Sequence, residues 1–212
     1  MRPRPRGVFI TFEGPEGSGK SSQAKRLVWA LRRAGRGVAF VRDPGSTVLG
    51  QRLRQVLLHA RLAHLSPLAE AFLFIAGRVQ LVEEQIRPAL RQGRIVVCDR
   101  FHDSTMVYQG FGGRLNGTWL DRVGRRAVGG LMPDLTILLD VPVAAGLARL
   151  THPKDRMEQR ALPFHRRVRQ GYRQLARREP QRFVVLDATQ APATIHRQIL
   201  AVVLKRLPRK RS

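Results

Sequence analysis

Five short runs of almost wholly apolar residues punctuate the chain, at Val8 to Phe12, Val38 to Arg42, Ile95 to Asp99, Leu135 to Asp140 and Phe183 to Asp187. Runs of this length without polar alternation are what strands covered on both faces require. Between them the apolar positions recur with helical spacing, which predicts helices over about 20–34, 47–60, 67–91, 117–129, 142–150, 158–178 and 192–206. Strands and helices alternate without an internal repeat or a long linker. The pattern therefore predicts an α/β domain in three layers, a parallel sheet of five strands between two layers of helices. Ligands of such sheets bind beyond the carboxyl ends of the strands. Polar residues collect at those ends here: Glu13, Arg42 and Asp43, Asp99 and Arg100, Asp140, and Asp187.

The first of these strand ends runs into Gly14-Pro15-Glu16-Gly17-Ser18-Gly19-Lys20-Ser21, a glycine, four residues, then Gly-Lys-Ser, the P-loop pattern. Glycines are needed because the backbone must curl around phosphates with its N–H groups pointing inward. Lys20 brings charge to the β- and γ-phosphates. Ser21 offers a hydroxyl to Mg²⁺ at the positive end of the following helix, where Ser22 also stands. With a strand before it and a helix after it, the segment is a nucleoside-triphosphate site, and the bland alternative of a glycine-rich turn gives way.

Length and composition narrow the surroundings of this loop. A chain of 212 residues suits one well-buried domain, expected over 8–207 with basic flexible ends at 1–7 and 208–212. No uninterrupted apolar run approaches the ~18 residues of a membrane span, so a cytoplasmic protein without a membrane partner is expected. The one cysteine, Cys98, lies inside an apolar run and reads as a reduced, buried thiol; no zinc-ligand spacing is present. The formal charge of +24 attracts nucleic acid and nucleotides alike. Only five of the 39 basic residues are lysines, and the arginines are spread over nearly every expected helix. Nucleic-acid binding is thus expected to be non-specific.

Further segments resemble the thymidylate kinase family, the P-loop kinases that move the γ-phosphoryl group of ATP onto dTMP. The resemblance runs from about Val8 to Gln190. Besides the P-loop it rests on Arg42-Asp43-Pro44-Gly45-Ser46-Thr47, Phe74-Ile75-Ala76-Gly77-Arg78, the segment from Asp99-Arg100 to Tyr108-Gln109-Gly110, Asp155-Arg156-Met157-Glu158, and Asp187-Ala188-Thr189-Gln190. It implies a bacterial-type dTMP kinase, a phosphotransferase of the P-loop NTPase fold with a short lid at about 149–160. ATP and Mg²⁺ are the implied donor and cofactor, and a homodimer the implied assembly.

Physical sense attaches to each segment. Phosphoryl transfer passes through a loose transition state, so the protein chiefly positions groups and neutralises charge. Arg100 stands at a strand end where it can bridge donor and acceptor phosphates, and Asp99 can orient Mg²⁺ or its water; a structural ion pair between the two is the alternative. By resemblance, the Arg42, Asp43, Pro44 loop and Arg54 flank the acceptor phosphate, although Ser46 replaces the usual second glycine. Phe74 and Arg78 share a helix face, one to stack on a base and one to reach a pyrimidine carbonyl, unless Phe74 is simply core. Gly77 stands where relatives carry an Asp, which predicts a less rigidly held Arg78. Resemblance completes the pocket with Ser104, Thr105, Tyr108 and Gln109, and gives Glu16 to the 3′-hydroxyl of the acceptor. The lid arginine is expected to be Arg156, with Arg149, Lys154 and Arg160 nearby. A kinase for another pyrimidine monophosphate, or a nucleic-acid-stimulated ATPase, are the competing readings.

Overall fold

The computed structural model describes residues 7–59, 65–151 and 155–208. Lys154 and nearly all of the two basic tips lie outside the described residues. Strands β1 (Phe9–Glu13), β2 (Val38–Arg42), β3 (Ile95–Asp99), β4 (Leu135–Asp140) and β5 (Phe183–Asp187) form one parallel sheet in the order β2-β3-β1-β4-β5. Side-chain alternation along the strands divides the core. Ile10, Phe12, Ile95, Val97, Leu135, Ile137 and Leu139 face helices α1 (Lys20–Arg33) and α9 (Pro192–Arg206). Phe9, Val96, Cys98 and Leu138 point to the other face. That face is covered by α3 (Pro67–Leu81), α4 (Arg87–Arg91) and α8 (Leu162–Arg178). β5 departs from expectation: it is one of the sheet's two edges, and on the face where Phe183 is buried Val185 is exposed, so that face is only partly covered.

Chain order and strand order together place the site. β1 lies centrally between β3 and β4, and its carboxyl end aligns with theirs, Phe12 opposite Asp99 and Glu13 opposite Leu138. Arg42 pairs in register with Asp99 on the other side of β3. The loops leaving β1, β2 and β3 at this edge open on one crevice.

Several helices differ from the periodicity. The expected helix 67–91 is helical throughout but widens into a π-helical turn at Val82–Ile86 before α4. Pro88 is the cause, since its ring cannot sit against the carbonyl four residues back in a regular helix. The helix expected over 47–60 is α2 (Val48–Arg54) followed by a π turn at Gln55–His59. Helices α6 (Gly117–Ala127) and α7 (Val143–Ala148) stop short of expectation by one or two residues at an end. α8 begins at Leu162 rather than 158, with a proline in its first turn. A helical stretch absent from the periodicity, α5 (His102–Thr105) continued by a π-helical run Met106–Gly112, carries much of the site. Its glycines at 110 and 112 hide the apolar repeat. α5 is tied to the sheet by a two-pronged ion pair, in which Arg182 donates to both carboxylate oxygens of Asp103 at 2.7 Å.

The P-loop and α7 meet backbone to backbone. A Cβ on Gly146 would lie 2.3 Å from the carbonyl oxygen of Glu16, and one on Gly17, which has φ +66°, would lie 1.9 Å from the carbonyl oxygen of Gly146. Neither neighbour is a flexible side chain that can swing away. Gly146→Ala is therefore expected to lower the melting temperature by several degrees, in line with the ~1–3 kcal/mol of overpacking, and to weaken nucleotide binding by displacing the loop. Wild-type melting and affinity in that variant would show that the contact is not constraining.

Candidate active site

Lys20 is the first residue of α1, and Gly19 before it adopts a left-handed conformation, φ 81°. The lysine is buried, donates to the carbonyl of Pro15 at 3.0 Å and lies 3.6 Å from the Glu16 carboxylate. Burial, reinforced by the Arg100 guanidinium, pulls its pKa down to about 8 despite Glu16 and Asp99. Ser21 donates to Asp99 at 2.5 Å. The other oxygen of Asp99, Oδ1, is buried without a partner.

Arg100 is the hub of the crevice. Its backbone takes a left-handed conformation, φ 69°, which costs a non-glycine residue about 1–3 kcal/mol unless surroundings enforce it. They do. The guanidinium donates to Glu16 at 2.8 Å, to the Tyr108 hydroxyl at 3.1 Å, to Ser104 at 3.0 Å and to the Tyr172 hydroxyl at 3.2 Å. Beneath it Glu13 accepts from the Phe101 backbone, from Ser104 and from Tyr172, at 2.8, 2.6 and 2.9 Å. Burial, with Asp103 adding to it, raises the Glu13 pKa to about 7.

Glu16, Lys20, Ser21, Asp99, Arg100, Ser104 and Tyr108 border one cavity of about 450 Å³. At its P-loop end stand Glu16, Gly17, Gly19, Lys20, Ser21 and Ser22; along α3 and the α5 helical run, Phe74, Arg78, Ser104, Thr105, Tyr108 and Gln109. Arg42, Asp43, Pro44, Arg54, Asp99 and Arg100 border it between. Gly14, Pro15 and Ser18 shape the loop without bordering the cavity, and the first two do so through carbonyls that accept from Arg100 and Lys20. Asp99 and Arg100 do not pair with each other in the way the structural alternative required. Asp99 accepts from Ser21 and, at 3.2 Å, from Arg42. Arg54 faces the cavity, half-buried, and donates to the Pro44 carbonyl at 3.4 Å. Phe74 is half-buried and borders the same space.

The geometry departs from four expectations. Asp43 does not face a phosphate: it is buried beneath a cis peptide to Pro44, and its Oδ2 accepts from Arg78 Nε at 2.5 Å. That contact supplies the carboxylate missing at Gly77, so Arg78 is held firmly after all. Its Nη2 donates to Thr105 at 2.9 Å, and its Nη1 is buried with no protein partner. Ser46 does not loosen its loop, because its hydroxyl accepts from the Arg42 backbone at 2.7 Å and closes the turn. Arg156 is not brought to the P-loop; it ion-pairs with Glu70 and donates to the Leu57 carbonyl at 2.7 Å. Met157 beside it is buried in the core, which anchors this part of the segment on the side of α3 and the α5 helical run. Of the described lid arginines it is Arg149 that reaches the P-loop, donating to the carbonyls of Ala188 at 2.8 Å and Gly17 at 3.4 Å.

Glu13 was placed at the ligand-binding edge without a role, and Glu70 and Tyr172 were not legible as site residues. Glu70 had a signal, since 70, 74 and 78 follow one another at helical spacing on one face of α3. Tyr172 had none, because it arrives from α8, far along the chain.

The family model for thymidylate kinase matches residues 12–199. A thymidylate kinase of Solidesulfovibrio magneticus is 48% identical over 209 residues, covering 94% of this chain and 100% of the relative. That of Deinococcus radiodurans is 48% identical over 202 residues, covering 94% and 98%. Among solved structures, thymidylate kinase from Ehrlichia chaffeensis superposes with a TM-score of 0.76 at 31% identity, covering 94% of this chain and 99% of that one.

The lysine's depressed pKa gives a signed expectation. Lowered from its ordinary 10.5, the group is charged below about 8 and loses its charge as pH rises through that value. Binding of a triphosphate needs the charge, so kcat/KM for the donor nucleotide should fall above about pH 8, while kcat at saturation, where phosphates hold the proton on, should fall only at higher pH. A flat kcat/KM profile from about pH 7 to about pH 9 would mean that Lys20 keeps its proton in the free protein.

Proposed function

The chain belongs to the thymidylate kinase family, and from that membership we infer that it transfers the γ-phosphoryl group of ATP to dTMP, giving dTDP for dTTP synthesis. The observation that best supports this acceptor is Arg78, which borders the cavity that Lys20 also borders, is buried against Asp43 and Thr105, and keeps its Nη1 without a partner among the described residues. A guanidinium fixed in this way is a donor for a pyrimidine carbonyl, with Phe74 as the stacking face. Tyr108 under the sugar crowds a ribose 2′-hydroxyl, and Glu16 is proposed to accept from the 3′-hydroxyl.

The transfer breaks the bond from the γ-phosphorus to the ADP oxygen and forms one to a phosphate oxygen of dTMP. The P-loop backbone N–H groups and Lys20 hold the donor phosphates, and Arg42 with Arg54 holds the acceptor phosphate. Arg100, already locked by Glu16 and Tyr108, sits between the two and meets the charge that spreads in the transition state. We assign the place of the lid arginine to Arg149, because its guanidinium already lies against Gly17. The partnerless Asp99 Oδ1 beside the Ser21 hydroxyl suits a hard cation that takes oxygen ligands. Those two residues would hold Mg²⁺, which when bound neutralises charge on the β- and γ-phosphates.

No described helix is long and apolar enough to cross a membrane. We place the protein in the cytoplasm, where both nucleotides are found. The nucleic-acid-stimulated ATPase reading has only the net charge behind it. A homodimer is proposed on the face formed by α3 and α6, where Leu68, Phe72 and Trp119 are exposed and Phe72 stacks edge-on against Trp119 at 5.9 Å. Phe72→Glu should then shift the sedimentation coefficient to that of a monomer; a wild-type protein that sediments as a monomer removes the assignment.

A coupled assay over dTMP, dUMP, dCMP, dGMP and UMP tests the acceptor. dTMP is expected to give the highest kcat/KM, and equal turnover of dCMP would remove the thymidylate reading while leaving the kinase. Arg78→Lys keeps a cation for Asp43 but loses the planar fork. It should raise the KM for dTMP about tenfold, with kcat changed less, as expected for a group that reads the base and never touches the transferred phosphoryl.

A further inference from the structure

Glu70 is buried to 2% exposure in the first turn of α3, on the face that carries Phe74 and Arg78. Three donors converge on its carboxylate. Gln109 Nε2 donates to Oε1 at 2.7 Å, while Oε2 accepts from Arg156 and, at 3.4 Å, from Arg160. Gln109 is itself buried to 1% exposure and borders the acceptor end of the cavity.

An ionised carboxylate can only accept, so the amide that meets it must present its NH₂ group. The orientation of Gln109, which a side-chain amide otherwise leaves open, is thereby dictated, and Oε1 is the end left for a ligand. A carbonyl oxygen offered there accepts from the N3–H of thymine or uracil and repels cytosine, whose N3 is itself an acceptor. Arg156 and Arg160 set opposite charge against the Glu70 carboxylate and offset the cost of burying it. The segment expected to close over donor phosphates is thus joined, in this conformation, to the base pocket.

We propose that Glu70 is a specificity-determining positioning residue: it fixes the Gln109 amide so that the pocket accepts a pyrimidine bearing an N3–H, and it is held to that task by Arg156 and Arg160. This rests on the dTMP kinase reading. Isolated ion pairs at a surface would not carry such a role, but here both partners of the critical bond are buried and one borders the cavity.

The test compares kcat/KM for dTMP and dCMP in wild type, Glu70→Gln, Gln109→Ala and the double variant. A glutamine at 70 has both donor and acceptor, so Gln109 is free to present either end. Glu70→Gln should raise the KM for dTMP about tenfold, change kcat by less than about threefold, and lower the dTMP over dCMP preference by about tenfold. In the Gln109→Ala background the same substitution should change that preference by less than about twofold, because the amide it orients is gone. Glu70→Asp, which keeps the charge but withdraws it from Gln109, should show the same direction of loss and serves if Glu70→Gln does not fold. An unchanged preference in the single variants, or an equal loss of kcat on every acceptor with a lowered melting temperature, overturns the proposal and leaves Glu70 structural. A wild-type protein without preference for dTMP would instead overturn the dTMP reading itself, which separates the two failures.

Discussion

The guanidinium of Arg100 joins parts of the chain that have no other reason to meet. It takes the Glu16 carboxylate from the P-loop, Ser104 and Tyr108 from the α5 helical run, and Tyr172 from α8, and it does so from a backbone conformation that a non-glycine residue does not adopt unaided. Donor loop and acceptor helix are held in one frame by that single charge. For a reaction in which the protein mainly positions two phosphates, such a frame matters more than any proton-transfer group. Glu13 completes it from below, since its carboxylate grips both the loop after β3 and the Tyr172 hydroxyl.

The scarcity of acids explains how a chain of +24 builds a defined site. It has 15 acidic residues against 39 basic ones, and four of the buried ones orient particular arginines: Glu16 on Arg100, Asp43 on Arg78, Glu70 on Arg156, Asp103 on Arg182. A buried pair of this kind adds little net stability, because desolvation offsets the attraction, but it fixes geometry. Removing one partner leaves a buried charge uncompensated. Most of the remaining arginines are exposed and face solvent, where their charge raises solubility without specifying structure.

How far the sequence can be read depends on whether a feature is local. The P-loop was legible because its strand, glycines, lysine and serine are contiguous, and backbone conformation follows directly from them. Four of the five strands matched their apolar runs within a residue and are covered on both faces; β5 matched in extent, yet how far helices cover an edge strand is a property of the packed sheet, not of the run. Phe74 and Arg78 were readable as a pair because four residues on a helix place side chains together. The helix after Arg100 is missing from the helices that periodicity predicts because glycines interrupt its apolar repeat.

What the tertiary structure alone decided is which acid meets which arginine. Arg78 finds Asp43 across 35 residues, Arg100 finds Glu16 across 84, and Arg156 finds Glu70 across 86. Each partner is one of several carboxylates that sequence could not rank, so Asp43 was read as facing phosphate and Arg156 as facing the P-loop. By itself the sequence determined the sheet, the phosphate loop and the residue types gathered at the strand ends, since these follow from short-range backbone sterics and apolar periodicity. Pairing among buried charges depends on distances that exist only after the helices have packed, and it is this pairing that orients the base pocket.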